Sequence, residues 1–125
     1  MKLTSFILTA FVAVEHVFIL VLEMFLWKTD LGMKIFQLTP ETAEITSKLA
    51  KNQGLYNGFL AAGLFWALFF IKDQSQKFQT ILFFLICVVV AGIYGSATAK
   101  FSILFSQGLP AFLALVLHYL TNKNQ

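Results

Sequence analysis

The sequence contains no arginine, a single cysteine and two prolines, and only 12% of its 125 residues are charged. Soluble domains average roughly 25% charged residues, so this chain carries about half the usual share. With 58% hydrophobic residues, so short a chain cannot bury its apolar surface in a water-soluble core. Disorder is excluded for the same reason, since disordered chains are poor in apolar residues. The lone Cys87 excludes an intramolecular disulfide; inside an apolar run it packs as a small hydrophobe. Nine lysines against six acids give a net charge of +3. These lysines stand singly between apolar runs, so no cluster exists to release many counterions, and nucleic acid is not an expected partner. They read as interfacial anchors. No nucleophile elbow, phosphate-cradling glycine loop, dinucleotide fingerprint or paired-histidine zinc motif occurs, so no enzyme class or cofactor is marked.

What is present is apolar length. A spanning helix needs ~20 mostly apolar residues at ~1.5 Å each. Four stretches qualify, at about 3–27, 53–71, 78–99 and 101–120. The first is too long for a secretory signal and carries Glu15, His16 and Glu23, so it is expected to be retained. Between the first two, Thr39-Pro40-Glu41 has the signature of a helix start: a capping hydroxyl, proline at the first position and an acid at the dipole. A short amphipathic helix over 40–51 should follow, lying at the interface or running into the second span. The expected fold is all-α: a membrane-embedded four-helix bundle in one domain, residues 1–125, with both termini on one side. The partner is the lipid bilayer, and the expected location is the bacterial plasma membrane. Lysines divide four against five between the two sides, which leaves the orientation open.

Two stripes of small residues at four-residue steps permit close helix approach: Gly54, Gly58 and Ala62 in the second stretch, and Ala91, Gly95 and Ala99 in the third. They serve packing within the bundle or association of a second copy. Pro110 cannot donate to the carbonyl of Ser106, so the fourth stretch should kink there.

Threading the chain up and down gathers polar groups into one leaflet. Glu15 and His16 fall near mid-bilayer. Glu23, Asn52, Tyr56, Asn57, Tyr94 and Gln107 fall towards the side of the long connection. Exposed to lipid they would be costly, so a polar pocket open to that side is expected, with Glu15 and His16 near its floor. These residues are the candidate ligand-binding set, and Glu15 and His16 are the candidates for proton exchange or acid–base chemistry. The plain rival is a hydrogen-bonded network that fixes packing. His16 and Glu23, seven residues apart, share one helix face and are the only metal candidates. Small oligomeric transporter and accessory subunit are the competing functional readings.

A resemblance rests on specific runs: Glu15-His16, Glu23 with Leu26-Trp27, Leu38-Thr39-Pro40-Glu41, Asn52-Gln53-Gly54-Leu55-Tyr56-Asn57-Gly58-Phe59-Leu60-Ala61, Gly92-Ile93-Tyr94-Gly95 and Gln107-Gly108-Leu109-Pro110-Ala111. In these the chain resembles a family of small microbial integral membrane proteins known as domain of unknown function 1304. The resemblance implies four spans and about 120 residues. It implies no activity, cofactor or residue role.

Overall fold

The structure, a computed structural model, describes residues 2–100 and 102–123. Phe101, at the start of the fourth expected stretch, and Asn124 and Gln125 of the polar tail lie outside the described residues. The described chain is helical, with no strand: α1 (Lys2–Met24), α2 (Asp30–Phe36), α3 (Pro40–Phe69), α4 (Gln74–Thr98), one π-helical turn (Leu104–Gly108) and α5 (Leu109–Asn122). Three of these segments are long and apolar enough to cross a membrane: Lys2–Met24, Gln74–Thr98 and Leu104–Asn122. The expected second span does not stand alone. It continues the helix over 40–51 into the 30-residue α3, whose middle is made polar by Asn52, Gln53 and Asn57. This is why α3 is not among the three.

Local chemistry sets the ends. The Thr39 hydroxyl accepts from the Thr42 amide at 3.1 Å, and α3 begins at Pro40. Asp73 Oδ1 accepts from the Gln76 amide at 2.8 Å, which starts α4 inside the expected polar turn at 72–77. The sequence reading did not anticipate α2. Thr29 caps it through the Gly32 amide, Asp30 meets its dipole, and Gln37 ends it at φ 55°. Just ahead of Pro110, where a kink is expected, the chain takes a π turn. The Leu109 amide bonds to the Leu104 carbonyl in a π turn, and the helix then continues.

The chain forms two compact units, Met1–Val14 with Leu60–Gln125, and Glu15–Phe59. In the first unit, Leu64, Leu85, Val88, Val12 and Ala111 are fully buried. On α4 the buried positions Ile81, Leu85, Val88 and Gly92 recur at helical spacing, one stripe turned inward. Its outer face carries exposed hydrocarbon: Phe83 is 62% exposed and Val90 59%. A surface this apolar is suited to lipid rather than water. Gly92 meets the π turn backbone to backbone. A Cβ there would stand 2.8 Å from the Cα of Gly108, so neither partner has room to yield.

In the second unit, α1 and α3 meet at small residues. A Cβ on Gly54 would stand 2.7 Å from Met24 Cγ and 3.0 Å from Glu23 Cβ, and one on Gly58 would collide with Leu20. The Gly54–Gly58 part of the first small-residue stripe is therefore covered by α1 of the same chain, while Ala62 is exposed.

Candidate functional site

The seam between α1 and α3 in the second unit is built from side-chain hydrogen bonds. Asn57 Nδ2 donates to Glu23 Oε2 at 3.0 Å and to the Gln53 carbonyl at 3.2 Å. The close approach at Gly54 brings the two helices near enough for this bond to form. Below it, Trp27 Nε1 donates to Thr46 Oγ1 at 3.0 Å, and the Thr46 hydroxyl donates in turn to the Thr42 carbonyl at 2.7 Å. The Trp27 ring packs on Phe36, with centroids 4.6 Å apart. At the exposed margin, Lys28 pairs with Glu44 at 3.0 Å.

One turn and more along α1 from Glu23, His16 is fully buried. Glu15 is half-buried, and its Oε2 is shut off from solvent with no hydrogen-bond partner among the described residues. A buried polar atom without a partner costs free energy unless a proton or a donor is supplied.

The structure brings together only part of the expected ligand set. Glu23 and Asn57 are bonded to each other. Asn52 is exposed, and Tyr56 is 64% exposed with its ring against Phe59 of its own helix. Tyr94 and Gln107 belong to the first unit, where Tyr94 is exposed on α4 and Gln107 is half-buried in the π turn. Among the described residues, no group of three or more His, Cys, Asp or Glu could hold a metal ion.

The first unit carries a feature that the sequence reading missed. At the end where α1 and α4 begin and α5 finishes, a cavity of about 90 Å³ is lined by Lys2, Gln74, Lys77, His118 and Asn122 over an apolar floor that includes Phe6 and Ile81. His118 is buried. Its Nε2 donates to the Phe78 carbonyl at 3.0 Å, since a carbonyl can only accept, and its ring stacks on Phe78 at 5.1 Å. Asn122 Nδ2 donates to the His118 carbonyl at 3.0 Å. Lys77 Nζ donates to the Leu68 carbonyl at 3.0 Å, satisfying one of the orphan carbonyls that end α3. The residues of this recess come from four helices, α1, the end of α3, α4 and α5, and the one sequence signal was the placement of Lys2, Lys77 and His118 on a common side.

A family model described as "Protein of unknown function (DUF1304)" matches residues 10–119. The uncharacterized protein YpaA of Lactococcus lactis subsp. lactis (strain IL1403) is 35% identical over 118 residues, which cover 93% of this chain and 97% of that protein. No solved structure matches.

Proposed function

The chain belongs to the DUF1304 family of proteins of unknown function, and from that premise we propose that it is an integral protein of the bacterial plasma membrane whose polar α1–α3 seam holds a proton or a small polar ligand. In this reading the fold is a bundle of four spanning helices. The last half of α3 supports the fourth span: Leu60, Leu64 and Leu68 continue its apolar character beyond Asn57. The 30 residues of α3 extend about 45 Å, more than a bilayer core requires.

The observation that carries the reading is the contrast between two carboxyls on one helix. Glu23 has a donor in Asn57, whereas Glu15 Oε2 is enclosed without one. A network made only to fix packing would leave neither oxygen wanting. Glu15 is thus the group that takes the proton or the ligand's donor, and His16, next in sequence, is its candidate exchange partner. Glu23, Asn57 and Trp27 set the α1–α3 geometry, and Tyr56, Asn52, Tyr94 and Gln107 remain candidates for contact with an entering ligand.

A second reading, association of copies into a small transporter or with a larger complex, is favoured by the exposure of Ala91 on α4 and of Ala99 just past its end. It places no demand on Glu15.

Infrared difference spectroscopy of the protein in lipid nanodiscs, taken across a pH titration, tests the first reading. A carboxyl C=O band should respond to pH or to a bound donor and vanish in Glu15→Gln, while Glu23→Gln leaves it in place. An unchanged spectrum in Glu15→Gln would remove Glu15 from the function.

A further inference from the structure

We propose that the recess at the terminal end of the first unit binds a phosphate group, carried by an anionic lipid or present as free phosphate. Its polar rim comes from Lys2, Gln74, Lys77, His118 and Asn122, and among the described residues no acidic one lines it. Two lysines facing a low-dielectric recess make a positive potential that selects anions. Lys77 is held in place by its bond to the Leu68 carbonyl, which uses one of its three N–H donors and leaves two to face a ligand. The His118 ring, bonded to the Phe78 carbonyl through Nε2 and to Asn122 Nδ2 through Nδ1, walls the recess. The nearest acid in sequence, Asp73, is turned to the Gln76 amide as the α4 cap.

Size and depth agree with a phosphate. A recess of about 90 Å³, well above the ~10–15 Å³ that admits one water, has room for one tetrahedral oxyanion. It opens where α1 and α4 begin and α5 ends. The three membrane-length segments, Lys2–Met24, Gln74–Thr98 and Leu104–Asn122, all have an end there, at the level where headgroup phosphates lie. The floor of Phe6, Leu68, Phe78 and Ile81 is apolar and leads to the 61%-exposed Phe69, whose ring packs edge-on against Phe6. That continuity suits a glycerol backbone and acyl chain below the phosphate.

The full-length protein in detergent micelles is titrated with phosphatidylglycerol, with diacylglycerol of the same chain length, or with sodium phosphate. Affinity is read from retained lipid by native mass spectrometry, and stabilisation from the shift in Tm. Phosphatidylglycerol should be retained and diacylglycerol should not. K2Q/K77Q should weaken retention about fivefold for each lysine removed, whereas K48Q/K51Q, the same charge change at two exposed sites of the second unit, should not weaken it. A Tm rise with sodium phosphate that K2Q/K77Q abolishes also upholds the site and identifies free phosphate as its source. If the double variant does not fold, K2Q alone carries the test with the single-lysine effect. The proposal is overturned if sodium phosphate gives no Tm rise that K2Q/K77Q abolishes and, in addition, either phosphatidylglycerol and diacylglycerol bind equally or wild type and the recess variants retain phosphatidylglycerol equally.

Discussion

In the unit that contains Leu64, Leu85 and Val88, helices meet through fully buried hydrocarbon, and polar side chains gather in a recess at one end. In the unit that contains Glu23 and Asn57, the helices meet through side-chain hydrogen bonds along the seam. In lipid, helices gain little from burying hydrocarbon, because acyl chains are equally apolar; close packing and interhelical hydrogen bonds must hold them. The first unit uses dispersion, made dense by the backbone contact of Gly92 with Gly108. The second uses polar pairs, each of which also fixes a register. A packing contact of pure hydrocarbon has no spare chemistry, whereas polar groups in the same unit can include one, Glu15 Oε2, that is buried without a hydrogen-bond partner among the described residues. Function is therefore more readily sought in the seam and the recess than in the hydrocarbon core.

The largest effect should come from the first unit. Leu85 is fully buried, and Leu85→Ala should cost about 2–5 kcal/mol through lost contacts and the cavity left behind. Unfolding by SDS in mixed micelles measures it. The seam should lose less: Asn57→Leu removes the donor to Glu23 and is expected to cost about 0.6 kcal/mol, at most about 1.7. Should Asn57→Leu prove more damaging than Leu85→Ala in the same assay, the division of labour between the two units is wrong, and the polar bonds are the main support of the fold.

The helical class and the apolar lengths were legible because runs of some 20 hydrophobic residues leave few alternatives. Thr39-Pro40 was legible as a helix start because each residue's chemistry acts within one turn. The seven-residue α2 was not, since its signals, Thr29 and Asp30, sit in a stretch too short for any periodicity. Pro110 stood next to the π turn without announcing its form, and the contact of Gly108 in that turn with Gly92 joins residues 16 apart in sequence. Within the site, Glu23 and Asn57 were legible as polar groups needing partners. Their pairing required knowing that Gly54 and Gly58 face α1. The recess was hidden because Lys2, Lys77, His118 and Asn122 are individually ordinary and are far apart in sequence.

The smallest expected effect sharpens the same contrast from within the second unit. Lys28 and Glu44 pair at 3.0 Å, yet their side chains are 52% and 71% exposed. Water screens such a pair, and ordering two long side chains offsets much of the attraction. The same stretch of chain is already tied by the Trp27–Thr46 bond, which is partly buried. Lys28→Ala should therefore change stability by no more than about 0.5 kcal/mol, and the change should shrink further as salt is raised. SDS unfolding at low and high salt measures both. A loss as large as that of Asn57→Leu, persisting at high salt, would mean that the ion pair organises the margin of the seam and that the second unit is held together by charge as well as by its neutral donors.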